Sequence, residues 1–247
     1  GIKALSASVE GDAKYCKQHV SSAVQLVKMG LQDSSQRVKY DALGCLGAMA
    51  EQYAGAFQSE FHNVLVEDVI SLITTNDNCT RVQGHCVSSL INFYNPQQSA
   101  AEQLEPYVDS LLNSLCRCLQ EAEVEVQQEC LSLVGCIALV IEVDFTRYYE
   151  AFMPGIKNIL QNALAPSMSQ LRSKAMECVG LIGEAVGPEL FVNDAVEVMR
   201  VLVPSLQNCE GRGAPEEVST ACARICKALK QEFLPFLPLF GRKGGNG

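Results

Sequence analysis

Cysteine is the residue type in this chain with the widest chemical scope, because the sequence holds twelve of them. Cys222 and Cys226 stand four residues apart and Cys116 and Cys118 two apart, so each pair could offer two thiolates to a metal ion. No histidine or second cysteine pair lies nearby at the spacing of zinc sites. We therefore interpret Cys222 and Cys226 as packing residues, and we place Cys116 and Cys118 on different helix faces. The sequence predicts no metal site and no cofactor.

Four glutamates form a second group, and they are Glu121, Glu123, Glu125 and Glu129. Glu125 and Glu129 are four residues apart, so a helix places them on one face, where like charges repel slightly. A general acid–base pair needs an enclosed, dry pocket, which nothing in the sequence supplies. Two interpretations remain, a solvated acidic face or a patch that binds Lys/Arg-rich segments.

The three histidines, His19, His62 and His85, show no arrangement with a catalytic Cys or Ser. The phosphate-loop GxxxxGK[ST], the GxGxxG, the HExxH and the GxSxG patterns do not occur in the sequence. An enzyme that used a cysteine or a carboxylate pair would need a deep pocket with perturbed titrating groups. The motifs therefore favour a binding protein over an enzyme.

Composition further narrows the classes of protein to which the chain can belong. The 247 residues are 48% hydrophobic, which is too apolar for a disordered chain. Lys and Arg number 19 against 28 Asp and Glu, a net charge of −9. This charge disfavours direct nucleic-acid binding, which depends on neutralising phosphates, and it favours basic partners. No apolar run reaches the ~18 residues of a membrane span, and the first residues lack a signal-peptide pattern, so we expect an intracellular protein with reduced thiols.

The elements that must position these residues repeat along the chain. Five segments align on one apolar anchor each, and the anchors recur every 44 to 47 residues, the period of HEAT and armadillo repeats. The anchors are Val38, Val82, Val126, Leu171 and Val218. Apolar residues recur 4, 8 and 11 positions after each anchor and form one stripe of an α-helix, called helix B below. Cys86, Cys130 and Cys222 share a column with Ala42 and Ala175, which predicts small, buried core residues.

An amphipathic helix A precedes each helix B. The predicted A helices are Val20–Leu31, Phe61–Ile73, Leu104–Leu119, Tyr148–Leu164 and Phe191–Leu206. Asp33 and Asp77, five residues before their anchors, are interpreted as turn carboxylates near helix N-termini. The predicted fold is all-α, a right-handed α-solenoid of HEAT repeats, with residues 1–247 forming a single array of about five repeats. We expect the chain to open in the tail of an earlier helix B and to end in another helix A, Glu232–Phe240, as a piece of a longer solenoid.

Several local strings resemble the central HEAT repeats of the importin-β (karyopherin-β) family. They include Arg37-Val38-Lys39-Tyr40, Arg81-Val82-Gln83-Gly84-His85 and Phe152-Met153-Pro154. The longest runs from Leu171-Arg172-Ser173-Lys174 to Leu181-Ile182-Gly183. The likeness spans nearly the whole chain, and such strings in this order are more specific than periodicity alone.

The resemblance implies a nuclear transport receptor, not an enzyme. It implies that basic nuclear-localisation signals bind to a concave face made by the B helices, with ribosomal proteins and histones as cargo. It also implies release of cargo by Ran-GTP through the full-length protein, and weak binding of Phe-Gly nucleoporins to the outer A helices. The expected locations are the cytoplasm, the nucleus and the nuclear pore, with no direct contact with nucleic acid or membrane.

Candidate cargo-binding residues are the polar residues of helix B that lie off its core stripe. They are Asp41, His85, Asn92, Glu125, Glu129, Glu177 and Glu184. We expect Asn92 to hydrogen-bond an extended cargo backbone and the glutamates to pair with Lys or Arg.

The sequence departs from the family pattern in its third repeat, where Glu125 replaces the Arg that precedes the anchor in the first two. No cargo-binding motif can be matched residue by residue. Two alternatives stay open beside the transport receptor, a HEAT scaffold or regulatory subunit of another complex, and a helical enzyme with a reactive thiol or carboxylate pair.

Overall fold

The computed structural model describes residues 1–75, 78–95, 97, 101–207 and 215–240, and these residues form helices joined by short turns. The contacts divide the chain into two compact units, residues 1–140 and 141–247. Each unit is described separately below. The predicted turn carboxylate Asp77 and Cys209 lie outside the described residues.

The first unit is a stack of helical pairs. Its helices are α1 Ile2–Gly11, α2 Ala13–Cys16, α3 Val20–Leu31, α4 Gln36–Gln52, α5 Ala56–Ile73, α6 Thr80–Ile91, α7 Ala101–Glu121 and α8 Val124–Ile141, with a 3₁₀ turn at Lys17–His19. Helix α4 packs against α1 on one side and α6 on the other, while α5 packs against α3 and α7. Within this unit the B helices therefore neighbour B helices and the A helices neighbour A helices, and α1 packs against α4.

The second unit, taken by itself, also alternates A and B helices. Its α-helices are α9 Tyr149–Asn162, α10 Ser169–Val186, α11 Pro188–Gln207, α12 Glu216–Leu229 and α13 Leu237–Phe240, with 3₁₀ segments at Glu142–Arg147, Pro166–Met168 and Lys230–Phe236. The B helices α10 and α12 pack against each other, and the A helices α9 and α11 do the same. Gly187 follows α10 and has a φ of 82°, a conformation that glycine adopts at little cost, and the chain turns there into α11.

The predicted core columns are buried with two exceptions, the anchor Val38, which is half-buried, and Cys226. All five residues four positions after the anchors are at most 5% exposed, including Cys86, Cys130 and Cys222. Cys226, eight positions after its anchor, was expected in the core and is instead exposed. In α12 the buried stripe passes through Ile225, because seven residues are about two turns of a helix and return the side chain to the anchor's face, whereas an eighth rotates it by about 100° more.

The prediction that Glu232–Phe240 forms a last A helix was also wrong for the first part of this segment. Residues Lys230–Phe236 form a 3₁₀ segment, and only Leu237–Phe240 are α-helical. Pro235 lacks the N–H that an α-helix needs and disfavours the α conformation of the residue before it. Lys230 adopts a positive φ of 52°, which separates this segment from α12.

Candidate functional site

Asp41 lines a cleft whose charge the sequence analysis did not foresee. The cleft, of about 420 Å³, lies between α1, α4 and α6. Lys3, Arg37 and Arg81 contribute cations to its wall, and Tyr40 contributes its ring. The N-terminal ends of α4 and α6 add partial positive charge. Asp41 is thus one carboxylate in a net positive setting and is not part of an acidic patch.

His85 packs between two consecutive B helices. Its ring stacks on Tyr40 with centroids 4.4 Å apart and planes within 16°. The guanidinium of Arg81 lies 5.0 Å from the centre of the same Tyr40 ring. Burial and then the Arg81 charge lower the pKa of His85, so its imidazole is neutral at pH 7. A neutral ring stacked on a neighbour is better suited to joining repeats than to pairing with an acidic ligand.

Asn92 has a structural partner. Its side-chain Nδ2 donates to the carbonyl of Gly47 at 3.2 Å, in the preceding B helix. Its own carbonyl accepts a 2.9 Å bond from Nε2 of Gln58, which is 1% exposed. Gln58 also donates to Ala50 and accepts from the N–H of Gly55. One amide hydrogen of Asn92 is therefore already used to hold neighbouring repeats together.

Glu125 and Glu129 occupy the start of α8, where the structure keeps them on one helix face. Glu125 is exposed and lies in the first turn of the helix, and Glu129 is half-buried. No ion pair joins Glu125 to another residue in the part of the chain that the structure describes. Of the predicted candidates, Glu125 is the carboxylate most available to an outside cation.

Glu177 and Glu184 of α10 already have cationic partners in α12. Oε2 of Glu184 lies 2.6 Å from Nζ of Lys227, and Oε1 of Glu177 lies 3.8 Å from Arg224. Lys174 approaches Glu177 to 3.5 Å from within α10. The sequence analysis missed this pairing, although it held the signal: Glu177 and Arg224 both stand six residues after their anchors, and equal offsets in adjacent repeats face each other.

A polar network between the A helices of the second unit was also missed. Tyr149 donates to Oδ2 of Asp194 at 2.6 Å, and Lys157 bonds both Asp194 and Glu197, the latter at 2.7 Å. Burial and then the hydrogen bond to Asp194 raise the pKa of Tyr149. The network joins α9 to α11.

The buried thiols behave as core residues. Burial is the main cause that raises the pKa of Cys86 to about 12 and of Cys222 to about 11, so both are protonated at neutral pH. Among the described residues, no three His, Cys, Asp or Glu side chains come together as a metal site. In the same part of the chain, no helix is both long and apolar enough to cross a membrane.

Repeated A–B pairs with buried B-helix columns define a HEAT-repeat protein, and comparison with known proteins narrows that class. A family model described as "Importin subunit beta-1-like, TPR repeats" matches residues 71–242. The chain therefore belongs to the importin-β family. Its repeats of 44 to 47 residues are longer than the 34 residues of tetratricopeptide repeats and lie in the HEAT range.

Individual relatives agree with this assignment. Importin subunit beta-3 of Saccharomyces cerevisiae is 33% identical over 242 residues, which are 96% of this chain and 22% of that protein. Kap121p bound to Pho4p has a TM-score of 0.84 at 32% identity, and Kap121p bound to Nup53p has 0.83 at 32%, each over 96% of this chain and 22% of the other. The predicted all-α HEAT solenoid and the family resemblance are confirmed. The chain spans about a fifth of the length of these relatives.

Proposed function

We propose that this chain is part of a nuclear transport receptor that binds basic nuclear-localisation segments for Ran-dependent import through the nuclear pore. The observation that carries the proposal is the similarity to importin subunit beta-3 over 96% of the chain. Solved structures of the similar Kap121p include complexes with Pho4p and Ste12p. The net charge of −9 suits basic cargo, of which ribosomal proteins and histones are examples.

We place the cargo contact on the B helices of the first unit, and above all at the start of α8. Glu125 is exposed there with Glu129 on the same face, so two carboxylates can meet Lys or Arg side chains of an extended segment. Asp41 and Asn92 are weaker candidates, because one lies among cations and the other is bonded to the preceding repeat. Glu177 and Glu184 can contribute to cargo binding only if cations of the cargo displace their partners in α12.

The A helices are proposed to meet Phe-Gly nucleoporins. Leu26 and Met29 on α3 are 50% and 68% exposed, although each is a large apolar residue. Apolar side chains exposed side by side suit weak, exchangeable contacts with phenylalanine rings. A structure of Kap121p bound to Nup53p supports a nucleoporin partner. Binding of Ran-GTP is assigned to the full-length protein, which would move between cytoplasm and nucleus and act as a receptor rather than an enzyme.

The test is binding of a fluorescent Lys/Arg-rich localisation peptide, measured by anisotropy at low and moderate salt. Its variants are Glu125→Gln/Glu129→Gln and a matched control, Glu60→Gln/Glu67→Gln, which removes two exposed carboxylates from helix A of the same unit. Exposed ion pairs contribute about 0.2–1 kcal/mol each. The α8 double substitution should therefore weaken binding about 2- to 30-fold, and salt should weaken the wild type.

Each outcome discriminates among the alternatives. Equal losses in the α8 and α5 variants would mean that overall charge, not a surface on α8, attracts the peptide. Salt-sensitive binding that ignores both variants would move the cargo surface elsewhere on the receptor. No binding of the peptide at low salt would contradict the cargo proposal for this part of the protein and favour a HEAT scaffold of another complex.

A further inference from the structure

The cleft of about 420 Å³ between α1, α4 and α6 collects positive charge within an acidic chain. Lys3 of α1, Arg37 of α4 and Arg81 of α6 line it, so each of three helices supplies one cation. All three residues are exposed, and no ion pair engages any of them in the part of the chain that the structure describes. Like charges around one cleft repel each other, so a bound anion would relieve this repulsion and gain charge-assisted hydrogen bonds.

The wall of the cleft is held by two hydrogen bonds between the start of α4 and the residues just before α6. Oε1 of Gln36 accepts from the N–H of Cys79 at 3.2 Å. Nζ of Lys39 donates to Oδ1 of Asn78 at 3.1 Å, and Asn78 is buried. The arginines of α4 and α6 therefore stand on helix starts whose relative position is fixed. A site formed before the ligand arrives loses less conformational entropy on binding.

Arg81 is the cation of the cleft whose side chain the structure orients. Its guanidinium lies 5.0 Å from the centroid of the Tyr40 ring, and that ring is stacked on His85 with centroids 4.4 Å apart. A guanidinium held over an aromatic ring keeps the N–H donors at its edge available to a ligand. These donors form a planar fork that can give two parallel hydrogen bonds to the oxygens of one phosphate.

We propose that this cleft binds the phosphate of a phosphorylated serine or threonine in a partner polypeptide. A phosphomonoester carries a charge of about −1.5 to −2 at pH 7 and three acceptor oxygens, so it can use all three cations at once. A nucleic acid fits less well, because its binding depends on cations along many phosphates and this chain has a net charge of −9. The site goes beyond the binding of basic segments, since its ligand has the opposite charge.

Asp41 allows the two kinds of ligand to be distinguished. Its carboxylate also lines the cleft and repels a phosphate there. Asp41→Asn should therefore tighten the binding of a phosphopeptide. The same substitution should weaken the binding of a basic peptide if Asp41 contacts cargo, as the sequence analysis expects. The two proposals thus require opposite effects of one substitution, and either can fail without the other.

The experiment measures binding of a fluorescent peptide of glycine and alanine with one central phosphoserine. Fluorescence anisotropy compares this peptide with its unphosphorylated form on the whole chain. The variants are Asp41→Asn, Arg37→Gln/Arg81→Gln and a matched control, Lys14→Gln/Lys17→Gln, which removes two exposed cations of the same unit that do not line the cleft. Unlabelled phosphopeptide, inorganic phosphate and a single-stranded oligonucleotide serve as competitors.

We expect the phosphopeptide to bind at least about tenfold more tightly than its unphosphorylated form, because hydrogen bonds to charged groups are the stronger ones. Arg37→Gln/Arg81→Gln should weaken its binding at least about tenfold, and the control less than about twofold. Asp41→Asn should strengthen its binding about 2- to 5-fold. The C2–H NMR resonance of His85, one of only three histidines, should shift during the titration, because its ring stacks on Tyr40 in the cleft wall.

Several results would overturn the proposal. Equal losses in the arginine variant and the lysine control would mean that overall charge attracts the phosphate. Weaker binding in Asp41→Asn, an unchanged His85 resonance, or equal affinity for both forms of the peptide would contradict a phosphate site in this cleft. Inorganic phosphate that competes as well as the unlabelled phosphopeptide would assign the cleft to a free anion. An oligonucleotide that competes better than the phosphopeptide would assign it to nucleic acid.

Discussion

The close approach of α10 and α11 at Gly183 gives the sharpest test of the packing. A Cβ added at Gly183 would lie 2.6 Å from Cδ1 and 2.8 Å from Cζ of Phe191, and would also meet Cε1. Carbon atoms in contact normally stand about 3.5–4.0 Å apart. Gly183→Ala therefore requires the ring of Phe191 to retreat by about 1 Å. The ring is fully buried, so neighbouring side chains must move with it.

The expected change in the free energy of unfolding follows from two opposing contributions. Overpacking a filled core costs about 1–3 kcal/mol, and three ring atoms in contact place Gly183→Ala near the upper end. Replacing glycine by alanine inside a helix returns about 0.5–1 kcal/mol. We expect a net destabilisation of about 2 kcal/mol. The matched control is Gly155→Ala in α9, where a new Cβ meets no atom within 4 Å and should stabilise by about 0.5–1 kcal/mol.

The free energy of unfolding of both variants is measured by urea unfolding. Hydrogen exchange of the α10 amides is measured as well, because the two units need not unfold together and exchange reports on α10 itself. In a Phe191→Leu background, which removes most ring atoms, Gly183→Ala should cost at least about 1 kcal/mol less than in the wild type. A Gly183→Ala variant as stable as Gly155→Ala would refute the argument. An unchanged cost in the Phe191→Leu background would show that the ring is not the obstacle.

Three further outcomes are expected. Tyr149→Phe should destabilise by about 1–2 kcal/mol, measured by urea unfolding, because it removes a bond to the carboxylate of Asp194. The raised pKa of Tyr149 stabilises the fold below the unfolded value of about 10 and this contribution is lost as pH rises further, so the substitution should reduce the loss of stability at alkaline pH. Gln58→Leu should cost about 2–4 kcal/mol in thermal unfolding, because three backbone groups, one buried and two partly buried, lose their partner. Arg224→Gln/Lys227→Gln should raise the affinity for a basic peptide about 2- to 5-fold in the anisotropy assay, and an unchanged or lower affinity would exclude the α10 glutamates from the cargo surface.

The positions of the helices could be predicted because burial imposes a period on the sequence. Helix α3 begins and ends at the predicted residues, and α10 contains the whole predicted stripe from the anchor Leu171 to Ile182, eleven positions later. Boundaries differ most where a local turn adds residues that carry no apolar signal. Helix α5 begins five residues before Phe61, because Gly55 adopts a positive φ and the side chain of Gln58 bonds its N–H.

The site was less predictable, because offsets along one helix show which face a side chain occupies but not what faces it. Glu125 and Glu184 both lie off the core stripe, yet Glu125 is exposed and Glu184 lies 2.6 Å from a lysine of the next B helix. That difference depends on residues about 45 positions away, so it emerges only when consecutive repeats are aligned column by column. Aligned in this way, the arginine opposite Glu177 is visible in the sequence. The α10 carboxylates thus differ from Glu125 in α8 because the next repeat supplies cations that pair with them. Whether a carboxylate is available to a basic segment therefore depends on two consecutive repeats and not on a single residue.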